Sequence, residues 1–182
     1  MLKLKKLTVG DLCRIAMLVA ITVILSWISG YLRIGPTMKF NISFISVYVT
    51  GAAFGPWISG TVAAMADVIS YLVNPTGPFV PVFTIIEFVG GFLFGLILYR
   101  SGEDVPKSSL VIRTIICVLL QYAVNIIRTY FLAELYFDGK FLACFVTRIP
   151  STTVMAVVKI CAIILIEPFM KTIMKALKKN GN

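Results

Sequence analysis

Apolar residues run along this chain in long blocks, each closed by charged residues or by glycine and proline. Six blocks stand out, at residues 12–31, 40–54, 56–73, 80–99, 109–133 and 147–170. A straight membrane-spanning helix needs ~20 apolar residues. The second and third blocks are short, so they are expected to tilt, kink or be shielded by their neighbours. They divide at Phe54-Gly55-Pro56-Trp57, where Gly55 suits a helix stop and Pro56 a helix start. The pattern predicts an all-α integral membrane protein, a single domain over residues 1–182 built as a bundle of six transmembrane helices.

Composition agrees. Of the 182 residues 59% are hydrophobic and 14% charged, whereas a soluble domain carries ~25% charged residues. Mean hydropathy is +0.95. One small core cannot hide so much apolar surface, so lipid is the expected solvent. The formal net charge of +9 raises nucleic acid as a partner, but the charges sit at the ends of apolar blocks rather than along one face. They read as topology signals and as attraction to anionic headgroups, not as a nucleic-acid surface.

Lysine and arginine set the orientation. Lys3, Lys5, Lys6, Arg14, Arg100, Lys107, Arg113, Lys171, Lys175, Lys178 and Lys179 fall on one side. Arg33, Lys39, Arg128, Lys140 and Arg148 fall on the other. The richer side is expected to be cytoplasmic, with both termini there, in a multi-pass protein of the cell membrane. The basic N-terminus resembles a signal peptide, but no small-x-small cleavage site precedes Tyr31, so a retained first helix is expected. The external loops are expected at 32–39, 74–79 and 134–146.

Ionisable groups inside a bilayer are costly and mark function. Asp67 lies six residues before the second external loop, and Glu87 six residues after Pro81 on the returning helix. At ~1.5 Å per residue both lie ~9 Å below the outer boundary. Gln121, Asn125 and Arg128 form one stripe on the fifth segment, and Arg148, Thr152, Met155 and Lys159 another on the sixth. Lys39 and Asn41 enter the second helix near the same level, and Tyr71, Phe79, Phe83 and Tyr130 add aromatic rings there. The other half reads as nearly pure Leu, Ile, Val, Phe and Gly. A channel needs polar groups along its whole path; a pocket open to the outside needs them at its mouth only. The competing reading is internal pairing, Asp67 with Arg128 or Lys159 and Glu87 with Arg148.

Four cysteines, Cys13, Cys117, Cys144 and Cys161, are scattered, with no CxxC pair and no histidine in the chain. They read as small buried hydrophobes, with no metal site or cofactor expected. No GxxxxGK[ST], HExxH or GxSxG motif occurs, so no catalytic residues are assigned and the chain is not expected to be a P-loop ATPase itself. Ala16 and Ala20, Gly51 and Gly55, Gly60 and Ala64, and Gly91 and Gly95 have the spacing that lets helices approach closely. Helix 1 carries the pair with the fewest bulky neighbours, a candidate for docking another membrane subunit.

The run Leu32-Arg-Ile-Gly-Pro-Thr-Met-Lys-Phe-Asn-Ile-Ser-Phe44 resembles the loop and second-helix entry of the S components of energy-coupling factor vitamin transporters. Phe54-Gly-Pro-Trp-Ile-Ser-Gly60, Asp67, Pro75-Thr-Gly-Pro-Phe-Val-Pro-Val-Phe-Thr84, Phe94-Gly-Leu-Ile-Leu-Tyr-Arg100 and Thr147-Arg148 are similar to the folate-specific branch. Ala16-Met-Leu-Val-Ala20 matches the AxxxA that the family sets against its transmembrane partner. Ala66, Glu87 and Pro150 depart from the family pattern. The resemblance implies a six-helix substrate-binding subunit that takes its vitamin from outside. It implies docking to a transmembrane coupling protein with two ATPases, and delivery by toppling in the bilayer.

The expected ligand is folate or a close pterin, whose ring N–H donors suit a carboxylate. Asp67 is the first choice, with Asn41 or Asn125 helping. Tyr71, Phe79 and Phe83 would sandwich the ring beside Thr84 and Glu87. Arg148, Arg128 or Lys39 would meet the anionic glutamate tail. Two other readings stand beside this one. The first is an S component for another nutrient such as riboflavin, pantothenate or a pyridoxine-like compound, with Glu87 favouring an amine. The second is a structural membrane protein whose polar residues only pair with each other.

Overall fold

The computed structural model describes residues 8–31, 33–34, 38–39, 41–75, 79–100, 107–136 and 141–178. Lys3, Lys5, Lys6, Lys140, Lys179 and parts of the three predicted external loops lie outside the described residues, as do the side chains of Lys39, Lys107, Cys144 and Thr147. The elements are α1 (Val9–Tyr31), β1 (Arg33–Ile34), β2 (Met38–Lys39), α2 (Phe44–Phe54), α3 (Pro56–Val73), α4 (Pro81–Leu98), α5 (Lys107–Tyr136) and α6 (Phe141–Lys178).

Five helices are long and apolar enough to cross a membrane; α2 is not. Its 11 residues rise ~16 Å, about half of a ~30 Å hydrocarbon core. Nine of them are buried, because α2 packs against α1, α3, α4 and α6. It is an inner post shielded by its neighbours. The block predicted from residue 40 becomes helical only at Phe44. Asn41 Oδ1 accepts hydrogen bonds from the backbone N–H and the hydroxyl of Ser43, at 3.0 and 2.6 Å. Such a side-chain turn competes with helix ahead of the first turn.

The predicted loop 32–39 contains a small antiparallel pair, Arg33 opposite Lys39 and Ile34 opposite Met38, a loop feature in an all-α fold. At the other predicted loop, residues 134–136 and 141–146 are helical. Backbone hydrogen bonding carries α5 and α6 past the apolar blocks that marked them.

Successive helices α2 to α6 alternate in direction. The starts of α2, α4 and α6 share one end with the strands, called here the hairpin end. The turn at Gly55 marks the other. Gly55 has φ +92°, a left-handed conformation that a side chain makes costly. It lets α2 end with Gly55 N–H on Gly51 C=O at 3.1 Å, while Pro56 opens α3. Glycine also sets the spacing of α4. A Cβ on Gly51 would stand 2.8 Å from the Gly95 nitrogen, and one on Gly91 2.5 Å from the Ser59 carbonyl oxygen. Backbone therefore meets backbone where α4 crosses α2 and α3. The core around Tyr48, Phe94, Leu98, Ile163 and Met170 sits between this crossing and α6.

Two expectations are corrected. The half of the bundle read as apolar holds a buried ion pair: Arg100, only 6% exposed, donates through both Nη atoms to Glu167 at 2.6 Å each. Tyr48 Oη lies 3.4 Å from the same carboxylate, and Arg100 N–H donates to Ala52 C=O at 3.1 Å. Arg100 is thus a tie between α4, α2 and α6 rather than a solvated loop charge. Of the cysteines, Cys117 is buried but Cys13 and Cys161 are exposed. A bundle surface bathed in lipid accepts a small hydrophobe without burial.

Candidate functional site

The α5 stripe and the α6 stripe face each other because residues spaced i, i+4 and i+7 stay on one side of a helix. Between them, α2 and α4 close a cavity of about 500 Å³, within the range of small-molecule sites. Its wall near the hairpin end carries Asn41, Glu87, Asn125, Arg128 and Arg148; deeper in, Gln121 and Lys159 join Phe44, Val47, Phe94 and Val118.

Arg128 on α5 forms an ion pair with Glu87 on α4. The two side chains are 32% and 33% exposed, so the pair is only partly shielded from solvent. The competing internal-pairing reading set Glu87 against Arg148. Rotation of α4 about its axis instead turns it toward α5. The Arg128 guanidinium also stands 5.5 Å above the ring of Phe83, a cation–π arrangement. Arg148 lines the same cavity from α6 and has interactions of its own.

Deeper along α5, Gln121 Nε2 donates to Gly90 C=O at 3.1 Å, and its Oε1 accepts from Lys159 Nζ at 2.8 Å. The ammonium lies 5.9 Å from the centroid of the Phe44 ring. The small hydroxyls on these walls are used locally: Thr129 donates to Asn125 C=O and Thr152 to Arg148 C=O, both at 2.9 Å. Such back-bonding satisfies the hydroxyl and leaves the longer side chains to face a ligand.

The expected site residues divide into two groups. Asn41, Glu87, Asn125, Arg128 and Arg148 line the cavity. Asp67, Tyr71, Phe79, Phe83 and Thr84 are not among its described lining residues. Asp67 Oδ2 accepts the Thr84 hydroxyl at 2.8 Å, tying α3 to α4 one turn from Glu87. The competing reading paired Asp67 with Arg128 or Lys159; its described hydrogen-bond partner is instead the Thr84 hydroxyl. The Tyr71 and Phe79 rings meet at a tilt of 50°, with centroids 5.1 Å apart. The side chain of Lys39 is outside the described residues. Gln121 and Lys159 were visible in the sequence as members of the two stripes, and their spacing was the signal that they belong in the site.

Three cationic side chains, Arg128, Arg148 and Lys159, line the cavity with one carboxylate, Glu87. That is a formal excess of two positive charges among the described lining residues (three minus one). Arg128 is paired with Glu87 and Arg148 has interactions of its own, while Lys159 meets the Gln121 amide oxygen and the Phe44 ring; a wall this rich in cationic donors suits a ligand with acidic or acceptor groups. The pairing of Glu87 with Arg128 removes the reason to expect an amine.

Comparison with known proteins agrees with this geometry. Residues 11–177 match the family model of the ECF transporter, substrate-specific component. The folate transporter FolT of Clostridium novyi (strain NT) is 32% identical over 121 residues, which is 66% of this chain and 67% of that protein. The crystal structure of FolT bound with folic acid superposes with a TM-score of 0.72 at 25% identity, covering 85% of this chain and 90% of that one.

Proposed function

The chain belongs to the substrate-specific components of ECF transporters, and from that premise we propose that it is a multi-pass protein of the cell membrane that captures folate or a related pterin from outside the cell. The carrying observation is the 500 Å³ cavity lined by Arg128, Arg148 and Lys159. Folate couples a flat ring to a glutamate with two carboxylates, and guanidinium and ammonium donors suit these acceptors. The likeness to folate-bound FolT supports the same choice.

In this reading Arg128 and Arg148, toward the hairpin end, take the tail carboxylates. Phe44 and Phe94 flank the ring at the inner end, Asn125, one turn inward of Arg128, serves its N–H donors, and Glu87 holds Arg128 toward the tail. Asp67 acts from behind: its bond to Thr84 fixes α4, and with it the direction of Glu87. The hairpin end faces outside and the Gly55 end faces the cytoplasm, as the distribution of lysine and arginine implies. Ala16 and Ala20, both exposed on α1, meet the coupling protein. Two ATPase subunits bound to that protein drive toppling, which carries the ligand inward.

Titration of the purified protein with folate, riboflavin, pantothenate and pyridoxine tests the substrate. Folate binds at one site per chain and the other three bind at least ~100-fold more weakly, a gap of ~2.8 kcal/mol. Saturable binding of one of the others with none for folate overturns the assignment.

A further inference from the structure

Lys159 reaches the cavity at a point where the protein has already fixed what it can meet. Gln121 is 5% exposed. Because its Nε2 donates to Gly90 C=O, its Oε1 is turned to Lys159 and can only accept. An ammonium has three donors; Gln121 uses one, and the face of Phe44 covers another side at 5.9 Å. What remains is directed donor capacity in a cavity wall.

Depth separates this donor from the arginines. Lys159 lies eleven residues beyond Arg148 on α6, and Gln121 seven residues before Arg128 on α5. These intervals correspond to ~10–16 Å along the helices. The outer tier has two guanidiniums, each able to grip a carboxylate at two points. The inner tier has one ammonium among Phe44, Phe94, Val47 and Val118. An acidic tail with two carboxylates fits the outer tier. A flat ring with one acceptor edge fits the inner one.

We infer that Lys159 is a specificity-determining residue that donates to the oxo edge of a pterin ring inserted ring-first, and that Gln121 is its positioning residue. The inference rests on the folate reading above and adds the orientation of the ligand. A pterin presents a 4-oxo oxygen beside the N5 lone pair, two adjacent acceptors that one ammonium can bridge. In a 4-amino pteridine the oxygen becomes an N–H donor. It would then face the ammonium donor to donor in a desolvated site, the arrangement by which buried polar groups reject a near-isostere.

The test is the ratio of affinities for folate and its 4-amino analogue aminopterin, measured by calorimetry on the full-length protein. The ratio cancels partial loss of active protein. The wild-type protein prefers folate by about tenfold or more. Lys159→Gln, whose amide accepts as well as donates, brings the ratio to within about threefold of one, and Lys159→Arg keeps the preference. An unchanged ratio in Lys159→Gln, or a wild-type protein without the preference, overturns the inference while leaving folate capture in place. Loss of both ligands in Lys159→Gln with the preference kept in Lys159→Arg supports it. Loss of both ligands in both variants, with or without altered elution on gel filtration, assigns Lys159 to structure and overturns it. Failure of the wild-type protein to bind any pterin defeats the substrate reading itself.

Discussion

Arg100 holds Glu167 at two points, with both N···O distances 2.6 Å, at the end of the bundle away from the cavity's arginines. The pair joins α6 to the segment after α4, and Tyr48 of α2 reaches the same carboxylate. Only 6% of the Arg100 side chain and 15% of Glu167 are exposed. Removing one member of such a pair leaves a buried charge without its counterion, which costs about 3–5 kcal/mol. Glu167→Ala therefore lowers the melting temperature by roughly 10 °C. Arg100→Met combined with Glu167→Met recovers most of that loss. Thermal melts in detergent check both, and the folate affinity of the folded fraction stays near wild type because neither residue lines the cavity.

Arg128 and Glu87 form the corresponding tie at the hairpin end, but theirs lines the cavity. Arg128→Met removes a charge-assisted donor from the proposed tail site and leaves Glu87 as an unpaired repelling charge. Folate affinity is expected to fall about 10- to 100-fold, equivalent to ~1.4–2.8 kcal/mol. Glu87→Gln removes the repulsion along with the pair and costs less. Titration calorimetry on the two variants orders them.

Adjacent glycines on α4 give opposite outcomes. A Cβ on Gly91 meets the Ser59 carbonyl oxygen at 2.5 Å, whereas one on Gly90 meets nothing within 4 Å. Gly91→Ala pushes α4 from α3 and costs about 1–3 kcal/mol. Gly90→Ala gains helix propensity worth up to ~1 kcal/mol. Chemical denaturation of the two proteins, one residue apart, should move in opposite directions.

The α1 face tests the proposed partner. Ala16→Trp with Ala20→Trp adds bulk to an exposed surface where two helices would otherwise approach closely. Folate binding by the purified protein is expected to stay unchanged. Folate uptake by cells that also supply the coupling subunits is expected to fall by an order of magnitude or more.

Depth along the helices was legible in the sequence; rotation about their axes was not. Counting residues from the loops set the depth of Glu87, the stripes on the fifth and sixth segments brought in Arg128 and Arg148, and the structure places all three on one cavity. The same counting put Asp67 there too, yet Asp67 is turned to Thr84, because the close backbone crossing at Gly91 and Ser59 sets how α3 and α4 face each other. No periodicity reports that angle. Glu167 was hidden for another reason. It sits inside an apolar block, and its partner Arg100 was read only as a topology charge at the end of another, so neither residue announced the other. The short second block was legible as short, and its burial follows from that length.

The most direct test of the central claim is a structure of the protein crystallised with folate. Density for the ligand is expected between α2, α4, α5 and α6, with the ring beside Phe44 and Lys159 and the tail at Arg128 and Arg148. Folate seated instead against Asp67, Tyr71 and Phe79, with that cavity empty, would contradict the account.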